Sequence, residues 1–159
     1  MLRASFDRHV WATKTLIDAV EALPRERLDE GIAGTYGSIA QTLTHLVDAD
    51  DRYLQRLTGP NPPPYEDHGS APLAELRVRI DAHAARWTAM LDRLDAGTLE
   101  ASINGRDDYP DTPHAETMLL IQALHHGDDH RAQVCSTLGA LGLDVPDLDG
   151  WTYWAEGRG

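Results

Sequence analysis

The residues best suited to chemistry in this chain are two histidines four positions apart, His126 and His130. On a helix that spacing stacks both imidazoles on one face about one turn apart, within reach of a single ion. The pair alone is a weak signal, because most histidine pairs at this spacing are solvated. Its register is more telling. Leu119, Ala123, His126, His130, Val134, Leu138 and Leu141 follow one helical stripe, so the two rings are expected to face a core. Ionisable rings are costly there unless something satisfies them, and a divalent metal would do so while requiring them neutral. A third ligand must come from another helix. His45, beside the apolar pair Leu43 and Leu46, is the best placed. Three histidines leave positions open for water or substrate, which is the arrangement of a catalytic site. The spacing also matches part of the zinc-protease motif His-Glu-x-x-His, but Gly127 stands where that motif needs its general base, which disfavours peptide hydrolysis.

Other polar residues carry less. Asp48, three residues after His45, is a candidate to accept a hydrogen bond from a ligand ring, with Asp50 and Asp51 weaker candidates. A plain solvated carboxylate is the commoner role for all three. His125 adjoins His126 and so points about 100° away, outside the site. His9, His83 and His114 are expected at the surface or at helix caps, and His68 is expected to be solvated in a Pro-rich loop. Cys135, next to the core stripe, is expected to be a buried, inert thiol. Trp11, Trp87, Trp151 and Trp154 are expected to pack, with Trp151 and Trp154 placed to cover a pocket mouth.

Four amphipathic helices have to position these side chains. The first is expected over Leu2 to Leu23, with Phe6, Val10, Thr13, Ile17 and Val20 on its buried stripe and Pro24 ending it. A Gly-rich linker follows to Gly37. The second starts at Ser38, where Ser38 and Gln41 have capping-box spacing, and ends at Gly59-Pro60. Its apolar face is Ile39, Leu43, Leu46, Tyr53 and Leu57. The third runs from Pro72 to Leu94, with Leu73, Leu76, Ile80, Trp87 and Leu94 near heptad spacing. Asn104-Gly105 allows a short hairpin between Asp95 and Asp111. The fourth is expected from Thr112, capped ahead of Pro113, to Leu141, loosened by Gly139 and ended by Gly142. The aromatic tail is expected to fold back on the bundle. Linkers of about 12 to 17 residues favour a bundle with crossover connections over a simple up-and-down one.

Composition narrows the function classes. The 159 residues suit one domain, 1–159, with one core. Acids outnumber bases 26 to 14 for a net charge of −12, so binding to nucleic acid or to an anionic membrane is disfavoured. A single cysteine excludes an internal disulfide and fits a reducing compartment. The N-terminus lacks the apolar stretch of a signal peptide, and no apolar run approaches the roughly 20 residues of a membrane span, so a cytoplasmic location is expected.

The run His125-His126-Gly127-Asp128-Asp129-His130-Arg131-Ala132-Gln133 resembles the signature of the DinB/YfiT-like metal-binding bundles, whose last helix carries His, three residues, then His-Arg-x-Gln. Their second helix carries a further histidine in a segment like Ser38 to Leu46, and both segments occur here in the same order. The resemblance implies an all-α four-helix bundle with long crossover connections and metal ligands at His45, His126 and His130. Arg131 and Gln133 match the motif without an assigned chemistry. Asp129 stands where relatives often have His, which places a carboxylate near the site as a second possible neighbour of the ligands besides Asp48. The resemblance further implies a thiol S-transferase that joins a low-molecular-weight thiol such as bacillithiol or mycothiol to an electrophile, often as a homodimer. The ion would be Zn or Ni, with Fe possible, since imidazole suits each of them. A metal-stabilised bundle without catalysis, a metal-dependent hydrolase and a metal-free interaction module are the alternatives.

Overall fold

A computed structural model describes residues 2–59, 62–63, 65–66, 69–97 and 115–157. Among the described residues the regular structure is entirely helical: α1 (Leu2–Glu21), α2 (Arg25–Leu28), α3 (Ile39–Thr58), α4 (Leu73–Asp95), α5 (Ala115–Ala140) and α6 (Gly150–Ala155). The four long helices, α1, α3, α4 and α5, are those expected from apolar periodicity. The hairpin at Asn104-Gly105 and the cap at Thr112-Pro113 lie outside the described residues, as do His68 and His114.

Each helix is fixed by its own register. On α1 the expected stripe of Phe6, Val10, Thr13, Ile17 and Val20 is buried. At the start of α3 the capping box forms in both directions: the Gln41 backbone N–H donates to Ser38 Oγ at 3.2 Å, and the Ser38 N–H donates to Gln41 Oε1 at 3.0 Å. The end of α5 closes through Gly142, whose φ of 69° lets the Leu143 N–H reach back to the Leu138 carbonyl at 2.9 Å.

In the bundle α1 packs on α4 and α5, and α3 packs on the same two helices. The links from α1 to α3 and from α4 to α5 therefore join helices that are not close neighbours, which is the crossover arrangement expected from the long linkers. This topology sets the site. It lays α3 and α5 side by side with His45 facing His126 and His130, and it carries the α2–α3 linker across to α5.

The tail is only partly as expected. It folds back as α6, with Tyr153 buried against Trp11 at a ring-centroid distance of 5.2 Å, and Trp11 Nε1 donates to Glu156 Oε2 at 3.0 Å. Trp151 and Trp154, however, are 83% and 67% exposed, and neither covers the histidine cavity. One turn of helix buries a single face, and Tyr153 takes it. No described helix is long and apolar enough to cross a membrane.

Candidate metal centre

His45, His126 and His130 converge. Each offers a ring nitrogen, and these three atoms lie within 4.8 Å of one another. His126 Nε2 and His45 Nε2 are 3.1 Å apart. Two nitrogens bound at about 2.0–2.1 Å to one tetrahedral ion sit about 3.3 Å apart, so this spacing fits a shared ion with little movement. The ring-centroid distances agree, at 5.0 Å for His45–His126, 4.8 Å for His45–His130 and 4.3 Å for His126–His130.

The electrostatics suit the same use. Burial, reinforced by the neighbouring His130 and His45 rings, pushes His126 down to about 4. Burial also lowers His130, against the opposing pull of Gln133 and Asp129. Both rings are thus neutral at physiological pH and offer lone pairs.

An aromatic collar surrounds the trio, and the apolar stripe gave it no functional reading. Tyr36 stacks on His45 with centroids 4.0 Å apart and planes at 16°, and it meets the His130 ring edge-on at 5.5 Å. Tyr65 meets His45 at 5.7 Å and Tyr53 meets His126 at 5.8 Å. Tyr36 belongs to the linker, and Gln133 holds it there: the Tyr36 N–H donates to Gln133 Oε1 at 2.8 Å, while Gln133 Nε2 donates to Asp129 Oδ2 at 3.2 Å. This supplies a role for Gln133, which had none from the motif alone. Beside His45 and His126 a cavity of about 220 Å³ opens between α3 and Tyr65.

Behind the trio lies a buried polar network that sequence reasoning placed wrongly. His9 and His83, expected at the surface or at caps, are both fully buried. His9 Nε2 contacts Asp50 Oδ2 at 2.7 Å, while Arg131 Nη1 lies 3.3 Å from His9 Nδ1. A guanidinium can only donate and a carboxylate can only accept, so His9 is held in the tautomer with its proton on Nε2. Arg131, itself buried, also donates to Thr13 Oγ1 at 2.9 Å and to Asp128 Oδ1 at 2.7 Å. His83 lies between two carboxylates, 3.7 Å from Asp50 Oδ2 and 3.0 Å from Asp51 Oδ1. Burial would lower His83, but the two carboxylates raise it by more. Burial would likewise raise Asp50, but the His9 and His83 rings hold it well below the usual carboxylate range.

This network also accounts for Gly127. A Cβ there would sit 2.3 Å from His9 Cε1 and 2.9 Å from Arg131 Nη1. Any larger side chain at this position, a glutamate included, would collide with His9.

The remaining expectations resolve individually. Asp48 Oδ1 accepts from Arg79 Nη2 at 2.5 Å, facing α4 rather than a ligand ring. Asp51 pairs with Arg79 and Arg86. Asp129 is exposed and acts on His126 and His130 through its charge. His125 is exposed, as adjacency to His126 requires. Cys135 is half-buried, and burial pushes its thiol up, against a smaller opposing pull from Arg131. Both missed histidines sat on legible stripes: His9 lies between Phe6 and Thr13, and His83 between Ile80 and Trp87.

The described bundle brings imidazoles from two helices together beside an open cavity, a group that could hold a metal ion. The family model of the DinB superfamily matches residues 8–134, and the chain belongs to that superfamily. No curated protein and no solved structure matches it.

Proposed function

We propose that His45, His126 and His130 hold one divalent transition metal and that the protein transfers a low-molecular-weight thiol to an electrophile. The observation that carries the reading is the 3.1 Å approach of two imidazole Nε2 atoms, with His126 held neutral. The three imidazoles would hold the ion, and the cavity beside them would give a small molecule a way to it. A bound ion of this kind lowers the pKa of a coordinated thiol, so that a thiolate exists at neutral pH. The chain's own residues then have defined tasks. Tyr36 keeps the His45 ring in plane, Tyr53 and Tyr65 limit water at the cavity, and Arg131 braces the far side of α5. Half-buried Cys135, with its raised pKa, is not needed as a nucleophile. The open cavity favours this reading over an ion that only staples the bundle.

Elemental analysis of untagged protein should find about one transition metal per chain, lost in His126→Ala. Metal-loaded protein should conjugate chlorodinitrobenzene to a small thiol faster than metal-free protein does. Absence of the ion sinks the whole reading. An ion without rate enhancement, across several thiols, sinks the transferase and leaves a metal-stabilised bundle or a hydrolase.

A further inference from the structure

The cavity beside the imidazoles is walled by the helix that carries His45. Ala49, Arg52, Tyr53 and Arg56 follow His45 on one face of α3, which therefore runs from a ligand histidine to two guanidinium groups. Ala49, one turn beyond His45, is small, and it leaves open the 220 Å³ that His126 and Tyr65 enclose from other sides. That volume is below the roughly 300–1,000 Å³ of sites for drug-sized ligands, so it fits a small molecule or the end of a larger one. Arg52 is fixed at the rim: its Nη1 donates to the Pro63 carbonyl at 2.8 Å, and its guanidinium lies 5.7 Å from the centre of the Tyr65 ring. Arg56 lies deeper and is 8% exposed.

The charge balance of this wall opposes that of the protein. The chain carries −12, yet no Asp or Glu occurs among the described residues lining the cavity. Like charges one turn apart on a helix repel each other, and partial burial adds a desolvation cost. Guanidinium groups offer planar donor pairs that match a carboxylate.

We propose that Arg52 and Arg56 form a carboxylate subsite, so that the small molecule brought to the histidine centre bears a carboxylate as well as its reacting atom. The inference rests on the metal-centre reading above. The carboxylate belongs to the thiol or to its acceptor, and two arms separate these sources. In the first, Co(II)-substituted protein is titrated with 3-mercaptopropionate and with 3-mercapto-1-propanol, following the thiolate-to-cobalt charge-transfer band. In the second, glutarate and 1,5-pentanediol are compared for the rise in melting temperature of the metal-loaded protein.

The charged member should bind about tenfold or more tightly than its neutral match in at least one arm. Arg52→Gln and Arg56→Gln should each remove most of that preference, and Arg52→Lys should restore part of it. Arg52, being half-exposed, keeps the test valid if Arg56→Gln does not fold. Equal binding of charged and neutral probes in both arms overturns the subsite while leaving the metal centre standing. So does a preference untouched by the arginine variants. A cobalt spectrum no different from that of His126→Ala overturns both readings.

Discussion

Replacing Gly127 with alanine adds one methyl group to α5, and two effects of opposite sign decide the outcome. In a helix interior, alanine is favoured over glycine by about 1 kcal/mol. Against this, the new Cβ would lie 2.3 Å from His9 Cε1, 2.6 Å from His9 Nδ1 and 2.9 Å from Arg131 Nη1. His9 has no room to yield. It is fully buried, bound to Asp50 at 2.7 Å and backed by Arg131, whose own Nη atoms are tied to Thr13 and Asp128. Overpacking of this kind costs about 1–3 kcal/mol. Shifting His9 enough to relieve it also weakens a hydrogen bond to a carboxylate, worth about 1.5–3 kcal/mol. The net is a destabilisation of about 2–4 kcal/mol, or a melting temperature lower by roughly 5–15 °C for a chain of this size.

The assay is thermal melting by calorimetry at matched metal loading, with Gly139→Ala as the internal control. Gly139 lies on the same helix, and a Cβ there meets only Val145 Cγ2, at an ordinary 3.6 Å. That variant should gain up to about 1 kcal/mol from propensity alone. If Gly127→Ala melts at or above the wild-type temperature, His9 is not locked as described. The account of why this position is glycine would then be wrong.

Other expectations follow from the same network and from the linker. Asp50→Asn should cost about 1.5–3 kcal/mol in denaturant unfolding, since it removes the charged acceptor of buried His9 and one of the two carboxylates beside His83; a loss under about 0.5 kcal/mol would count against it. The stabilisation from His83, whose pKa is raised, is fully present below its unfolded value near pH 6.5 and is lost as pH rises through the folded one. His83→Gln should therefore cost most in mildly acidic buffer and least in alkaline buffer, and a cost that grows with pH would contradict the sign. Asp50 is depressed, so its contribution holds above about pH 4 and fades as pH falls through its folded value. Gln133→Ala removes the acceptor of the Tyr36 N–H, worth about 1 kcal/mol. Amide exchange at Tyr36 should quicken by roughly fivefold with helix α5 otherwise unchanged, and unchanged exchange there would show that Gln133 does not hold the linker.

The helices and the shared face of His126 and His130 were legible because both are written in periodicity. Phe6, Val10, Thr13, Ile17 and Val20 declare a buried face wherever α1 finds its partners, and His126 and His130 declare a shared direction. Distance in the folded chain was not legible. His45 could be nominated by its neighbours Leu43 and Leu46, but its 3.1 Å approach to His126 depends on how α3 and α5 pack. His9 and His83 were misplaced through the prior that lone histidines are solvated, although each stood on an apolar stripe. What reversed that prior was a third residue, Asp50 on α3, and nothing in the spacing of Asp48, Asp50 and Asp51 says which of them turns inward. Tyr36 was illegible for another reason. It lies in a Gly-rich linker with no period, and contacts made only in the fold, the Gln133 hydrogen bond among them, hold it over His45.

The signature on α5 becomes coherent once each residue is given a direction. Successive residues turn by about 100°, so positions four apart nearly overlap while adjacent ones diverge. His126 and His130 share one side, facing His45 on α3. Gly127 and Arg131, one step on, share the side facing α1, where the first leaves room for His9 and the second donates to Thr13 and toward His9. Asp129 and Gln133, one step back, share a third side and are joined to each other there, with Gln133 reaching the linker at Tyr36. Asp128 falls between, bound by Arg131 and by Arg8 of α1. Six of the nine residues thus form three pairs at four-residue spacing: one pair of imidazoles facing His45, one pair that seats the helix on α1, and one pair that pins the linker. The helix can place two imidazoles against a third from α3 only if it neither rotates nor slides. The second and third pairs contact α1 and the linker, and these contacts oppose both motions.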